Sequence, residues 1–185
     1  MTNITLVTGN ANKLREWQRL MPQGLLLESA DIDLPEIQSI DMEEIVADKA
    51  KRAYEALDMP VIVEDISAEL ANLNGLPGPF VKFFIKALGE NALYQLSNDK
   101  GSEATVICTI AFYNGQELLT ATGRVPGRVV SKRGDNGFGF DKTFVPDGHD
   151  QTYAEMSPEE KDKVSHRSKA IRAFVEQHGA KLINN

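Results

Sequence analysis

The stretch Val61–Phe80, VIVEDISAELANLNGLPGPF, decides how the rest of the chain is read. Val61, Ile62 and Val63 are β-branched and apolar, the composition of a short central strand buried on both faces. Two adjacent carboxylates, Glu64 and Asp65, follow at once, with Glu69 close behind and a proline-glycine turn after that. In open α/β sheets ligands bind in the crevice beyond the carboxyl ends of the strands, so this reading places Glu64 and Asp65 at that rim. Neighbouring acids repel unless a positive group stands between them, and oxygen-only donors favour a hard cation such as Mg2+. A solvated strand end would explain the same pair and is the simpler account of these residues alone, so the rest of the chain has to decide.

At 185 residues with 42% hydrophobic content, the chain suits one domain, or two lobes of one, with a sizeable core. Twenty basic residues against 27 acidic give a net charge of −7, which argues against a nucleic-acid polymer or a membrane surface as partner. A phosphate-bearing ligand would need a local basic cluster. The single cysteine, Cys108, lies in the apolar run Thr105 to Phe112 and reads as a small core residue; no disulfide within the chain is possible. Ile4 to Val7 is too short and lacks the basic flank of a signal peptide, and no segment approaches transmembrane length, so the cytoplasm is expected.

Outward from the central stretch, the amino-terminal side alternates strands and helices. Ile4 to Thr8 reads as a strand, Gly9 to Asn12 as a tight loop, and Lys13 to Leu20 as a helix stopped by Pro22. Leu25 to Glu28 is a second strand, and Pro35 keeps DIDLPEIQSI extended. Asp41 with Glu44 is a capping-box-like start for a helix to Leu57. On the carboxyl side, Pro77-Gly78-Pro79 breaks the chain before a helix over Phe80 to Leu88 ended by Gly89, and Glu90 to Leu96 is a further helix. Asn114-Gly115 joins strands Ala104 to Tyr113 and Gln116 to Gly123 in a hairpin. A third strand is expected near Arg128 to Val130, and Thr143 to Val145 is extended. Ser157 caps a last helix, kinked at Ser165 and ended by Gly179.

Several patterns carry possible chemistry. Thr8 to Lys13, TGNANK, sets glycine, asparagines and a helix amino-terminus after a strand, so that free backbone amides and Lys13 can converge on an anion; an ordinary strand-to-helix turn is about as good an account. Glu36 sits on a proline-stiffened loop and Lys49 on a helix of mixed charge, each compatible with plain surface. GDNGFGFD, Gly134 to Asp141, places Phe138 and Phe140 among glycines, where the rings either stack on a flat base or start a core strand. Lys161, Ser165, His166 and Arg167 group basic and titratable side chains within two helical turns, a pattern that a solvated face also produces.

Taken together, TGNANK, DLPEIQ, VEDISAEL, GLPGP, GFGFD and TYAEMSPEEKDKVSHR resemble the inosine triphosphate pyrophosphatase family, which hydrolyses non-standard purine nucleoside triphosphates such as ITP, dITP and XTP. The blocks run in the same order from Thr8 to Arg167, nearly the whole chain. The resemblance implies an α/β fold, a single domain over residues 1–185 with an elongated mixed sheet and two lobes flanking a nucleotide-binding cleft, together with Mg2+ and a homodimer. Residue by residue it implies nucleotide contacts at Thr8, Gly9, Asn10, Asn12, Lys13 and Lys49, and metal carboxylates at Glu36 and Asp65. It implies further substrate contacts at Phe138, Gly139, Phe140, Asp141, Lys161, His166 and Arg167. Lys142 departs from the family, many of whose members have proline there, and the departure bears on the stiffness of the loop behind Phe140. Ala68 lies in a segment that varies within the family.

These residues suit hydrolysis in which water attacks the phosphorus next to the sugar, with Lys13, Lys49 and Lys161 clamping phosphate oxygens and Asp65, or alternatively Glu64, activating the water. One rival reading is a pyrophosphatase of modified pyrimidine nucleotides, against which GFGFD and SHR argue. Another is a nucleotide sensor without turnover, which would be expected to lose a carboxylate, whereas Glu36, Glu64 and Asp65 are all present. The apolar Phe80, Phe83 and Phe84 on a short helix point to a subunit contact.

Overall fold

In a computed structural model, which describes residues 2–22 and 25–183, the apolar start of the chain forms β1 (Thr2–Val7). It pairs in parallel with β2 (Leu25–Ala30) along its length, from Thr2 opposite Leu25 to Val7 opposite Ala30. Between them α1 (Ala11–Leu20) begins where the Asn10 side chain accepts the amides of Asn12 and Lys13. Asp41 caps α2 (Met42–Leu57) in the same way, taking the amides of Glu43 and Glu44. The expected reciprocal bond runs through an intermediary: Glu44 accepts from the Ser39 hydroxyl, and that hydroxyl accepts from the Asp41 amide.

The central strand is longer than its composition suggests. β3 runs over Val61–Leu70, so Glu64, Asp65 and Glu69 lie within the strand and not beyond its end. The rim comes from β1 instead. β3 pairs in parallel with β1 at Thr5 to Val61 and Leu6 to Ile62, and β1 ends at Val7. The carboxylates therefore begin where β3 outruns its neighbour. Farther along, β3 is continued by the two-residue β4 (Pro77–Gly78), which pairs with Ala68 and Glu69.

The hairpin strands β5 (Ser102–Tyr113) and β6 (Leu118–Val129) follow β3 in one seven-stranded mixed sheet, ordered β2-β1-β3-β5-β6 and then β7 (Phe144–Pro146), with β4 beside β3. No separate strand forms at Arg128, because burial alternates unbroken along β6 through Val125, Gly127 and Val129. Gly127 permits this: a Cβ there would come within 2.2 Å of the Val145 carbonyl on β7. The turn itself is closed by the Asn114 side chain, which accepts the amides of Gln116 and Glu117.

α3 (Val81–Leu88) and α4 (Ala92–Leu96) precede β5. The last expected helix is two: α5 (Pro158–Val164), which begins with a complete capping box between Ser157 and Glu160, and α6 (His166–Ile183). Ser165 is extended and separates them. Gly179 does not end α6, which runs through it with Val175 3.5 Å from where a Cβ would stand.

By internal contact the chain forms two compact units, Met1–Asp65 with Cys108–Gly123 and Lys169–Asn185, and Ile66–Ile107 with Arg124–Ser168. The core of the first packs Val46, Ala50 and Ala53 of α2 against Val7, Val61, Val63 and Ala111. The core of the second gathers Leu70, Val81, Val106, Val125 and Val129 with Phe140, Phe144 and Tyr153.

Candidate active site

In the first unit the chemistry is assembled around β3. The loop after β1 is held by its own side chains: Thr8 accepts the Asn10 amide, and Asn10 takes those of Asn12 and Lys13. These two amides at the start of α1 are therefore engaged within the protein, where the sequence suggested an open anion cradle. Gly9 lies against Asp31, whose carboxylate oxygen would be 2.3 Å from a Cβ there and would have to move aside for one. Asn12 accepts from Arg15 one turn on. What the loop presents is Lys13, whose ammonium stands 3.0 Å from Glu64 Oε1.

Glu64 is buried, 3% exposed, and its other oxygen is held from the core side. Trp17 Nε1 donates to Oε2 at 2.7 Å, and the Cys108 thiol donates to the same oxygen at 3.7 Å. A buried carboxylate is costly unless several donors meet it, and here the strand position alone would not supply them. Trp17 and Cys108 are the partners that sequence reading missed. One signal was available: Lys13 and Trp17 are four residues apart on a helix and so share a face.

Asp65, the next residue on β3, is half-buried and faces a different neighbourhood. Lys49 Nζ lies 2.9 Å from Glu36 Oε1, 3.9 Å from Asp65 Oδ1 and 3.5 Å from the Glu64 carbonyl oxygen. Lys49 reaches them from the border of the apolar face of α2, one residue before buried Ala50. Glu36 is brought in by the extended loop whose Ile32 and Leu34 pack on the first core. Two carboxylates separated by 29 residues in sequence thus converge on one ammonium. The donor set, two carboxylates with no nitrogen or sulfur ligand, suits a hard divalent ion completed by water and phosphate oxygens.

In the second unit, GFGFD folds as a turn and not as a strand, and its two rings have different fates. Phe140 is 6% exposed and belongs to the core, with Phe144 at 6.3 Å and His166 at 5.5 Å between ring centroids. Phe138 is only partly buried, and cations cover its face: Lys161 Nζ at 5.1 Å and the Arg167 guanidinium at 5.6 Å from the ring centre. Lys161 also forms a buried ion pair with Asp141 at 2.7 Å, and the same Asp141 oxygen accepts the Phe138 amide at 2.9 Å. Gly139 between the rings has φ of +64°, a backbone conformation that glycine adopts without strain. His166 stacks on Tyr153 at 5.9 Å, and Arg167 is 1% exposed. Lys161 is therefore engaged at the loop, paired with Asp141 and set over the Phe138 ring.

Lys142 pairs with Glu90 at 2.9 Å, and the pairing holds the Glu90 carboxyl below its usual range. The side chain that departs from the family pattern thus ties this loop to the turn between α3 and α4. A recess of about 520 Å3 in the same unit lies by Glu69, Glu103, Arg128 and Asp147, and none of the expected site residues lines it.

The Ham1 family model matches residues 4–177. A dITP/XTP pyrophosphatase of Methanopyrus kandleri is 38% identical over 177 residues, spanning 94% of each chain. An inosine triphosphate pyrophosphatase of Emericella nidulans is 42% identical over 176 residues, 92% of this chain and 93% of that one. Among solved structures, the Staphylococcus aureus Ham1 protein superposes with a TM-score of 0.79 at 28% identity, covering 97% of this chain and 99% of its own.

Proposed function

The chain belongs to the Ham1 family, and from that premise we propose that it hydrolyses non-standard purine nucleoside triphosphates, ITP, dITP and XTP, to the monophosphate and pyrophosphate. The observation that carries the reading is the convergence of Glu36 and Asp65 on Lys49 beside the Lys13–Glu64 pair. Alternating cations and carboxylates are what a triphosphate and its counter-ion require.

The first unit handles the triphosphate. Lys13 and Lys49 bind phosphate oxygens, and Glu36 and Asp65 would hold Mg2+ once Lys49 turns to the substrate. When bound, the ion neutralises charge on the leaving pyrophosphate. Asp65, half-buried on β3, would orient water and accept its proton. Glu64 is committed to Trp17, Cys108 and Lys13, which leaves Asp65 as the better base.

Recognition of the base is assigned to Phe138 and Arg167. Phe138 supplies an aromatic face, and Asp141 with Lys161 holds the loop that carries it. Arg167 can only donate hydrogen bonds, so it favours the six-position carbonyl of hypoxanthine or xanthine over the amino group of adenine. Phe83, 56% exposed, and Phe84 on α3 offer an apolar contact for a second copy, and we propose a homodimer; a monomer in sedimentation at micromolar concentration would count against it. The lone buried cysteine and the absence, among described residues, of a helix able to cross a membrane are consistent with a cytoplasmic enzyme.

Pyrophosphate release across a panel of purine and pyrimidine triphosphates, with and without Mg2+, tests the proposal. Metal-dependent release from ITP and XTP well above that from ATP and from pyrimidines is expected. Equal rates on all substrates, or none on ITP, would overturn it.

A further inference from the structure

Glu64 divides its two oxygens between the core and the site, and the division has a consequence for Lys13. Oε2 is tied inward by the Trp17 indole N–H at 2.7 Å and by the Cys108 thiol, so Oε1 meets the Lys13 ammonium at 3.0 Å. An ammonium carries three donors, and a carboxylate that rotates freely can engage it with both oxygens. With Oε2 committed to the indole, Glu64 holds Lys13 through one oxygen, fixing its direction while leaving two N–H groups for a phosphate. All four residues lie in the first unit: Lys13 and Trp17 one turn apart on α1, Glu64 on β3 and Cys108 on β5.

We infer that Trp17 is a positioning residue for triphosphate binding, acting through Glu64 on Lys13; this rests on the reading of Lys13 as a phosphate ligand. Trp17 is wholly buried, and its bulk would be explained by core packing alone. The indole N–H would not, because phenylalanine fills similar apolar space without burying a donor. The polar handle is aimed at the one carboxylate that holds the phosphate lysine. Removing it releases Oε2 to close on Lys13, which strengthens the internal pair at the expense of the substrate. The penalty appears in binding and not in the chemical step, and the cost of fixing one long side chain sets it at about twofold to tenfold.

The test is a kinetic cycle with ITP on Trp17→Phe, Lys13→Met and the double variant. Trp17→Phe is expected to raise KM by about twofold to tenfold with kcat nearly unchanged, and to cause no further rise when Lys13 is already methionine. The same KM factor in both backgrounds, no KM change, or a loss confined to kcat would overturn the inference. A second measurement avoids any folding defect of the phenylalanine variant. Trp17 is the only tryptophan, so its emission in the unaltered protein should change saturably with inorganic tripolyphosphate and stay flat in Lys13→Met. Flat emission in the unaltered protein while calorimetry registers binding would also overturn the inference. If ITP is not hydrolysed but the titration behaves as expected, the functional reading fails and the positioning role stands. Normal ITP hydrolysis with Trp17 effects independent of Lys13 is the reverse case.

Discussion

Replacing Lys161 with methionine removes one charge from a buried pair while keeping the length of the side chain. Lys161 and Asp141 are 6% and 4% exposed at the side chain and 2.7 Å apart, so little water screens them. At that separation and an effective dielectric of about 20, the gross attraction is roughly 6 kcal/mol. Desolvation of both ions offsets most of that, but Lys161→Met leaves the desolvated Asp141 without the ammonium that justified it. Breaking a buried pair from one side costs about 3–5 kcal/mol, a large part of the roughly 5–15 kcal/mol that holds a typical domain. The damage should be local at first, since the same Asp141 oxygen accepts the Phe138 amide and so shapes the loop that carries Phe138. Urea unfolding with an unchanged m-value is the assay. The informative comparison is Lys161→Met with Asp141→Asn, in which a neutral amide oxygen can still accept the Phe138 amide. The double variant should recover about 1–2 kcal/mol of the single variant's loss, because the stranded charge is gone. A loss under about 1 kcal/mol for Lys161→Met, or simple addition of the two single effects, would show that the pair is not what holds the loop.

Asp65→Asn should melt like the parent and lose turnover by about a hundredfold or more; near-normal turnover in Mg2+ would remove Asp65 from the chemistry. Arg167→Ala should lower the ratio of specificity constants for ITP over ATP, and an unchanged ratio would place the base reader elsewhere. Phe140→Ala should cost about 3–5 kcal/mol as a core truncation, with Phe138→Ala costing clearly less; equal losses by denaturation would contradict their different burial. Hydrogen bonding from Ser157 holds the Glu160 carboxyl below its ordinary value. Its cap therefore stabilises α5 above the ordinary glutamate range and is lost as pH falls through the lowered value. Glu160→Gln should flatten that part of the acid unfolding curve, and superimposable acid curves would refute the assignment.

Much of the fold was legible in the sequence because caps, turns and periodicity act over a few residues. Asp41 and Ser157 start their helices through their own side chains, and Asn114-Gly115 closes its hairpin. The family was legible as well, through the order of its motifs. Where reading failed, a distant partner had intervened. β3 continues past Glu64, with β4 paired to it after β1 stops, and β6 passes Gly127 because β7 lies against it. The placement of charge was decided in the same way. Glu64 is tied to an indole 47 residues away, and Phe140 packs with Phe144 and His166. A residue type sets which protons and charges a side chain can offer, but its protein environment decides which it keeps for the fold. That environment exists only once segments far apart in sequence have packed together.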